Sequence, residues 1–403
     1  MINRSFELWP CFTAEEIEAV AGVLRSNRVN YWTGNKCRQF EQMFAEWVGT
    51  SQAIALANGT VALDLALRAF DIGPGDEVVV TPRTFIASAS CVVNTGAIPI
   101  FADVDSDSGN LSAETIAPVI TDKTRAIIVV HLAGWPADMD PILAMAAQRG
   151  IRVIEDCAQA HGARYKDRSV GSIGDIGAWS FCQDKIMTTG GEGGMVTLND
   201  PSLWHKMWSY KDHGKCYDAV YNREHPPGFR WVHESFGTNW RMLEIQAAIG
   251  LIQLIRMKQW TACRNAHAEV LRRTLKPLAG ERGPLRLPTF PSAEAGSGTG
   301  KTVHAYYKFY CYVRPDNLAP DWNRDRIVSE ICAAGVPCYQ GTCSEIYLEK
   351  AFEDTGFRPQ ERLPIAMELG QTSLMFLVHP TLTEEQLELA AATAARVLEQ
   401  AST

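Results

Sequence analysis

Short apolar runs alternate with helical patterns along the chain from Ala53 onward. The first helical pattern is VALDLALRAF, and the strand-like runs after it are EVVVTP, AIPIFADV, RAIIVVHLAG, IRVIEDCA and GAWSF. Short runs of β-branched residues between helices are typical of a parallel sheet that is covered on both faces. The pattern therefore predicts an α/β domain built on a mostly parallel sheet.

Polar side chains follow several of these apolar runs directly, in segments 81–85, 131–135, 156–159 and 180–185. In open α/β sheets, ligands bind outside the carboxyl ends of the strands. These four segments are therefore the first candidates for the chemistry of the protein.

The C-terminal part of the chain has a different pattern. A long amphipathic helix is predicted to begin near Arg241 and to continue toward Lys276, and residues 279–302, rich in Gly, Pro and Ser, are predicted to be an irregular connection. Beyond it, YYKFYCYVR, a helix around DRIVSEICAAG and a last helix in TEEQLELAAATAARVLEQ indicate a smaller α+β domain.

The length of 403 residues supports two unequal domains, because a single hydrophobic core stops growing at about 250 to 300 residues. We predict a large domain over residues 1–255 and a small domain over residues 256–403. The first residues, up to about residue 25, are expected to pack on the small domain.

Charge and composition narrow the range of partners. The net charge is −8 and no run of five Lys or Arg residues occurs, so no nucleic acid partner is expected. The N-terminus has acidic residues where a secretion signal is apolar, and no apolar stretch reaches 18 residues, so we expect a cytoplasmic protein without a membrane partner. The eleven cysteines lack disulfide or zinc spacing, so we interpret most as small apolar residues and expect no metal.

An Asn-Gly-Thr motif, residues 58–60, stands immediately before the first helical pattern. Backbone N–H groups and the helix dipole at such a position favour an anion such as a phosphate. An ordinary helix cap would have the same sequence. The motif alone leaves both interpretations open.

Two further candidates lie at strand ends. Asp156 directly follows a buried strand, where a carboxylate needs a cationic partner or, alternatively, hydrogen bonds from backbone amides. Lys185 precedes the run GGEGG, whose glycines let backbone approach a bound group, although most lysines are simply solvated. Pyridoxal 5'-phosphate (PLP) needs a lysine for a Schiff base, an acid at its ring nitrogen and a site for its phosphate. The joint occurrence of the three features predicts this cofactor.

The chain resembles the sugar aminotransferases of the DegT/StrS type, from about residue 10 to its C-terminus. The resemblance is carried by NGTVALDLAL (58–67), TPRTFIASA (81–89), GAIPIFADVD (96–105), IEDCAQAHGA (154–163), SFCQDK with GGEGGM (180–195) and GTNWRMLEIQAAIG (237–250). It implies the PLP-dependent transferase fold of type I, that of aspartate aminotransferase. This fold has a large domain with a mostly parallel seven-stranded sheet between helices, and a smaller C-terminal α+β domain.

The resemblance also implies a role for each matching residue. Lys185 would carry PLP as a Schiff base, and Asp156 would hold the pyridinium nitrogen. The other implied cofactor contacts are Gln159 near the ring hydroxyl, Phe85 on the ring face, and Gly59, Thr60 and Ser180 at the phosphate. Asn239 would reach the phosphate from a second subunit, which implies a homodimer with shared active sites.

Transamination is favoured because related dehydratases have a histidine at the position of Lys185. The resemblance implies that glutamate or glutamine donates the amino group and that a nucleotide-linked 3- or 4-keto-deoxysugar accepts it. The product would enter a surface polysaccharide, such as a lipopolysaccharide O-antigen, or a glycosylated natural product. A keto-cyclitol aminotransferase and a non-catalytic PLP-binding regulator stay open as alternatives.

Candidates outside the cofactor contacts are less specific. The predicted substrate contacts are Trp135, Arg241, Tyr339 and Glu345. Three histidines, His131, His161 and His213, invite catalytic roles, although histidines beside a cofactor more often satisfy local hydrogen bonds.

Overall fold

A computed structural model describes residues 6–290 and 300–402. Within these residues the chain forms thirteen strands and twelve α-helices. The strands are β1 Gln52–Leu56, β2 Glu77–Val80, β3 Ile98–Phe101, β4 Thr124–Val130, β5 Arg152–Asp156, β6 Arg164–Tyr165, β7 Arg168–Ser169, β8 Ile176–Ser180, β9 Gly194–Leu198, β10 Leu285–Arg286, β11 Phe309–Val313, β12 Cys338–Tyr339 and β13 Ser373–Phe376. The helices are α1 Ala14–Ser26, α2 Lys36–Val48, α3 Gly59–Ala69, α4 Ala87–Thr95, α5 Ala113–Ile116, α6 Met139–Arg149, α7 Pro201–Lys211, α8 Tyr217–Tyr221, α9 Glu244–Leu275, α10 Arg324–Ala333, α11 Pro364–Thr372 and α12 Glu384–Ala401.

Seven strands form one large sheet in the order β1-β9-β8-β5-β4-β2-β3. Strands β2, β3, β4, β5 and β8 are mutually parallel, whereas β9 is antiparallel to both of its neighbours. These five parallel strands coincide with the five apolar runs of the sequence. The predicted α/β fold with a mostly parallel seven-stranded sheet is confirmed.

Strand β4 shows why the sheet lies between two helical layers. Its sequence is TRAIIVV, and it is buried along almost its whole length. Ala126 and Ile128 contribute to a core with residues of α3 and α4, whereas Ile127 and Val129 contribute to another core with residues of α6. Successive strand residues face opposite sides of a sheet, so a continuous apolar run requires cover on both faces.

A second, antiparallel sheet has the strand order β10-β11-β13-β12. Helices α10 and α12 pack on it through side chains such as Ile331 and Leu398. This is the predicted smaller α+β unit. The segment predicted as an irregular connection contributes β10, because the apolar Leu285 is buried and pairs with Val313. Residues 291–299 of that segment lie outside the described residues.

Helix α9 contacts both cores and confirms the long helix predicted from the sequence. Near its N-terminus, Ala247 packs into the core between the large sheet and α2. Near its C-terminus, Leu271 and Leu275 pack into the core of the small sheet. The predicted domain boundary after residue 255 therefore falls inside one continuous helix.

The N-terminal segment also contacts both parts of the chain. Phe6 packs against the core of the small sheet, and the carbonyl oxygen of Leu8 accepts a hydrogen bond from the Thr381 hydroxyl at 2.9 Å. Helix α1 then lies against α9, where the carboxylate of Glu16 accepts a hydrogen bond from Gln253 at 2.8 Å.

None of the helices in residues 6–290 and 300–402 combines the length and the apolar character that crossing a lipid bilayer requires. All eleven cysteines are unpaired; five of them are buried and three are half-buried. The interpretation as apolar core residues therefore applies to the buried five.

Candidate active site

A cavity of about 860 Å³ opens at the carboxyl ends of the parallel strands. One side is formed by the segments that follow β1, β2, β5 and β8, and the other by residues around β11, β12 and β13. The structure brings eight of the predicted site residues together here: Gly59, Thr60, Phe85, Asp156, Gln159, Ser180, Lys185 and Tyr339.

The first turn of α3 forms one end of the cavity. The side-chain oxygen of Asn58 caps the helix and accepts a hydrogen bond from the Val61 N–H at 3.0 Å. A Cβ atom on Gly59 would stand 2.5 Å from Cβ of Ser180, so only glycine fits beside this hydroxyl. N–H groups in a first helical turn have no partner within the helix and attract anions. The motif is thus a helix cap whose geometry also suits a phosphate.

Asp156 ends β5 in the wall of the cavity and is only 6% exposed. Its Oδ2 accepts a hydrogen bond from the Ser88 hydroxyl at 2.8 Å, and its Oδ1 accepts one from the Ala158 N–H at 3.1 Å. The Ser88 Oγ lies 2.9 Å from Oγ1 of Thr84. A carboxylate can accept about four hydrogen bonds, so Asp156 is held in place and keeps capacity for a donor in the cavity.

Thr84 lies in the candidate segment 81–85, but no supporting role was predicted for its hydroxyl or for that of Ser88. Both belong to the segment TPRTFIASA, and Ser88 lies in the first turn of α4. No helical spacing relates the two hydroxyls, because Thr84 precedes the first residue of α4.

Gln159 lines the cavity beside a bent turn of the backbone. Its side-chain oxygen accepts a hydrogen bond from the Ala133 N–H at 2.8 Å, so its NH2 group is the donor that remains. Ala133 has a φ of 56°, a left-handed conformation that costs a residue with a Cβ atom roughly 1 to 2 kcal/mol. The bond to Gln159 is one of the contacts that hold this turn.

Lys185 lies on the loop after β8 and is half-buried. Its Nζ is 5.3 Å from the centre of the Tyr307 ring, and the Tyr307 hydroxyl donates a hydrogen bond to Asp184. The carbonyl oxygen of Lys185 accepts a hydrogen bond from Nε1 of Trp9 at 2.7 Å. The N-terminal segment thus supports the backbone of the lysine whose side chain lines the cavity.

Three predicted substrate contacts lie outside this cavity. Trp135 is buried in an aromatic cluster. Arg241 forms an ion pair with Asp212 at 2.6 Å, and Glu345 forms one with Arg362 at 2.5 Å. Because these side chains are engaged in contacts within the chain, the structure does not bring them to the cofactor contacts.

Asn239 also lies outside the cavity of its own chain. It is exposed, and its backbone pairs with that of Asp212. The predicted role of Asn239 in the active site of a second subunit stays a prediction.

His131 belongs to a closed polar cluster on the other face of the sheet. Its Nδ1 accepts a hydrogen bond from the Ala137 N–H at 3.0 Å, so Nε2 carries the proton and donates it to Glu155 at 2.9 Å. Cys157 brings a third potential metal ligand close to these atoms. Both ring nitrogens are already hydrogen-bonded, so the contacts of His131 are structural.

His161 and His213 do not line the cavity either. His161 is fully buried with its ring centre 5.2 Å from that of Trp179, and burial lowers its pKa to about 3. It is therefore neutral at physiological pH. His213 is exposed, and its backbone N–H donates to the carbonyl of Thr238 at 2.9 Å.

Strand β11 and the residue before it contribute cavity residues that sequence reasoning missed, Tyr310 and Lys308. The Tyr310 hydroxyl accepts a hydrogen bond from the Thr342 N–H at 2.9 Å. Burial raises the pKa of Tyr310, so this hydroxyl keeps its proton and can donate it in a hydrogen bond. The available signal was a lone lysine among the aromatic residues of YYKFYCYVR.

The profile of the DegT/DnrJ/EryC1/StrS aminotransferase family matches residues 10–393. The chain belongs to this family.

Relatives of the DegT/DnrJ/EryC1/StrS family resemble the chain over most of its length. GDP-perosamine synthase from Escherichia coli O157:H7 is 33% identical over 378 residues, which are 94% of each chain. The solved aminotransferase from Psychrobacter cryohalolentis has 60% identity and a TM-score of 0.95, and the match covers 98% of this chain and 99% of that one. The structure of S. venezuelae DesV in complex with a ketimine intermediate has 31% identity and a TM-score of 0.82, over 96% of this chain and 95% of that one.

Members of the DegT/DnrJ/EryC1/StrS family are PLP-dependent aminotransferases, so the predicted family, fold and enzyme class are confirmed. The cavity residues also fit PLP by their chemistry. A helix start suits its phosphate, a carboxylate with remaining acceptor capacity suits its ring nitrogen, and an amine is present for a covalent bond.

Proposed function

We propose that this protein transfers an amino group from glutamate, or glutamine, to a keto sugar carried on a nucleotide, such as a 3- or 4-keto-deoxysugar. One observation carries the proposal: the amine of Lys185, the carboxylate of Asp156 and the helix start at Gly59 line a single cavity. The product would be used for a surface polysaccharide, such as an O-antigen, or for a glycosylated natural product.

The same cavity supports a specific set of PLP contacts. Lys185 would hold the cofactor covalently, and Gly59, Thr60 and Ser180 would hold its phosphate. Asp156 would bind the ring nitrogen, with Phe85 on the ring face and Gln159 near the ring hydroxyl. When bound, PLP supplies an electron sink for the negative charge that develops at the substrate carbon.

Two residues of the chain would control the protons of the reaction. The Nζ of Lys185, once released from its bond to the cofactor, acts as a base that takes a proton from one carbon atom and returns it to another. Asp156 holds the proton on the ring nitrogen through a charge-assisted hydrogen bond. The bonds from Ser88 and Ala158 support this role, because they fix the carboxylate in the cavity wall.

The proposed acceptor is supported by the relative named GDP-perosamine synthase and by the size of the cavity. A volume of about 860 Å³ is near the upper end for small-molecule sites, at about 300 to 1,000 Å³. It therefore has room for a sugar beside the cofactor. Tyr310 and Tyr339, on the side opposite Asp156, offer aromatic and hydroxyl groups to such a substrate.

Borohydride reduction of the PLP-loaded protein, followed by peptide mapping, tests the proposed lysine. We expect the reduced cofactor on the peptide that contains Lys185, and no label in Lys185→Ala. The variant Lys308→Met controls for the second lysine of the cavity and should keep the label. Label on any lysine other than Lys185 would overturn the assignment.

The acceptor is tested with the pyridoxamine form of the protein. We expect keto sugars linked to nucleotides to restore the visible absorbance of the PLP form, whereas keto-cyclitols without a nucleotide should not. Restoration by keto-cyclitols alone would replace the proposed substrate class with the alternative one.

A homodimer with shared active sites is part of the proposal. Asn239 is exposed near a segment with unusually exposed aromatic residues: Trp231 is 81% and Phe236 is 99% exposed. Such apolar surface is typical of a surface that another chain covers. A second subunit would thereby bring Asn239 to the phosphate end of its neighbour's cavity.

Subunit mixing tests this arrangement directly. Lys185→Ala and Asn239→Asp should each be nearly inactive alone. If Asn239 acts in its neighbour's site, each mixed dimer contains one intact site, and mixing the variants under exchange conditions restores activity. If Asn239 acts within its own chain, no intact site forms and the mixture stays inactive.

The cytoplasm is the proposed location. The eleven unpaired thiols support it, because the cytoplasm keeps cysteines reduced. Mass spectrometry of the protein unfolded in the presence of a thiol-blocking reagent should find all eleven cysteines alkylated, because unfolding exposes the buried five.

A further inference from the structure

Lys308 is a cavity residue to which the proposed reaction has so far given no role. It stands immediately before β11 and lines the cavity from the side of the small sheet. Among the residues that line the cavity in the described part of the chain, only Lys185 and Lys308 are cationic. The cavity therefore offers one positive charge besides the lysine that would hold the cofactor.

The amine of Lys308 has no hydrogen bond or ion pair within residues 6–290 and 300–402. Its Nζ lies 4.8 Å from the centre of the Tyr307 ring. The carboxylate of Asp184, which also lines the cavity, is engaged by the Tyr307 hydroxyl. A half-buried ammonium group without a direct ion pair or hydrogen bond favours the binding of an anion.

Burial lowers the pKa of Lys308 to about 8, and the positive charges of Arg264 and Lys185 act in the same direction against the attraction of Asp184. The amine is still mostly protonated at neutral pH. An anion that binds beside it would offset both the lost hydration and the repulsion from the other cations.

The position of Lys308 also indicates which anion it can meet. Lys185 Nζ and Lys308 Nζ lie 5.3 Å and 4.8 Å from the centre of the same Tyr307 ring. A donor amino acid would have to bring its amino group to the place where Lys185 holds the cofactor, where it would replace the lysine amine, and a single carbon atom separates that amino group from its α-carboxylate. The phosphate of PLP would occupy the other cationic feature of the cavity, the start of α3.

We propose that Lys308 binds the α-carboxylate of the amino acid that donates the amino group. The inference rests on the proposed aminotransferase function and adds to it a residue that holds the amino donor in place. It assigns the donor and the sugar to different contacts, so the two half-reactions should respond differently to a change at Lys308.

The first test measures each half-reaction separately by absorbance. In Lys308→Met, the glutamate concentration for half-maximal conversion of the PLP form should rise roughly 10- to 100-fold, as expected for losing a hydrogen bond to a charged group. The half-saturating concentration of the keto sugar nucleotide in the second half-reaction should change less than about twofold. Lys308→Arg should recover most of the glutamate affinity.

The matched control is Lys123→Met, an exposed lysine that precedes β4 at the opposite edge of the sheet. It should match the wild type in both half-reactions. The second test uses glutarate, an unreactive dicarboxylate, and measures its binding to the PLP-loaded protein by calorimetry. Lys308→Met should weaken this binding by a similar factor, while Lys123→Met should not.

The outcomes separate the inference from the function on which it rests. Unchanged glutamate saturation in Lys308→Met, or an equal loss for glutamate and for the sugar nucleotide, would overturn the inference and leave the aminotransferase intact. A loss confined to the sugar nucleotide would instead assign Lys308 to the diphosphate. A wild-type protein whose PLP form is converted by no amino acid would overturn the proposed function itself.

Discussion

Glu155 and Asp156 are neighbours on β5, but their side chains lie on opposite faces of the sheet and in very different surroundings. Glu155 is fully buried and accepts hydrogen bonds from His131 and from three backbone N–H groups in residues 171–174, at 2.7 to 2.9 Å. Asp156 accepts two hydrogen bonds and lines the cavity.

The difference lies in how much hydrogen-bonding capacity the protein leaves unused. Glu155 has a protein donor for each of its four acceptor positions, so it can only stabilise the fold. Asp156 keeps capacity toward the cavity, so it can act on a ligand. Two adjacent acidic residues in IEDCA thus separate into a structural group and a functional group.

The largest expected effect is on stability, at Glu155. Glu155→Ala would leave His131 and three buried N–H groups without their acceptor, so the free energy of unfolding should fall by about 3 to 5 kcal/mol. Urea unfolding measures this loss. The activity per folded molecule should change little, and a stability loss below about 1 kcal/mol would contradict the structural role of Glu155.

Replacing Asp156 should instead have a large effect on the reaction rate and a small effect on stability. Asp156→Ala should slow the glutamate half-reaction about 100- to 1,000-fold, the range for removing one preorganised electrostatic contact, and should lower the free energy of unfolding by only about 1 kcal/mol. Stopped-flow absorbance and urea unfolding on the same sample measure both quantities. Wild-type rates in this variant would remove Asp156 from the proposed chemistry.

The buried histidines and Glu155 should affect the stability of the protein in different pH ranges. Burial lowers the pKa of His161 and of His304 to about 3, whereas both would titrate near 6.5 in the unfolded chain. The unfolded state therefore binds more protons below pH 6.5, and stability should fall by about 1.4 kcal/mol per pH unit for each histidine as the pH decreases toward 3.

Glu155 should affect the pH dependence of the free energy of unfolding only at lower pH. Burial alone would raise the pKa of Glu155, but hydrogen bonds from His131 and from the Gly174 and Gly171 N–H groups lower it. Its contribution is present above about pH 4.5 and is lost as the pH falls further. Between pH 6.5 and 5, the urea midpoint of unfolding should thus decrease with falling pH as steeply in Glu155→Ala as in the wild type. A flatter slope is expected in His161→Phe.

The smallest expected effect concerns the support of Asp156. Ser88→Ala removes one neutral donor from the carboxylate, so the glutamate half-reaction should slow by roughly three- to tenfold. Ser90→Ala, in the same helix, is the matched control and should react like the wild type. Equal rates in Ser88→Ala and Ser90→Ala would show that the Ser88 hydroxyl does not position Asp156.

Local patterns were sufficient to predict the sheet and one side of the cavity. Short runs such as EVVV and RAIIVV, rich in β-branched residues, are typical of buried strands, and parallel strands bring the residues at their carboxyl ends to one edge. That logic reached Asp156 and Lys185. It could not show that Trp135, also at a strand end, turns into an aromatic cluster after the left-handed residue Ala133.

The other side of the cavity could not be predicted from local patterns. Tyr310 belongs to a strand of a separate sheet and Lys308 directly precedes that strand, and only the packing of the two parts of the chain brings them opposite Asp156. Their sequence, YYKFYCYVR, has the composition of an ordinary strand. The same limit applies to Trp9, which meets the backbone of Lys185 across 176 positions of sequence.

Helix α9 has a consequence for recombination between relatives. A crossover near residue 255, where the sequence suggests a domain boundary, would join two halves of one helix whose ends are fitted to different cores. Chimeras that exchange the small sheet to alter the choice of substrate should therefore inherit α9 whole from one parent. The crossover point is better placed after Leu275, which is the last residue of the helix and its last buried side chain.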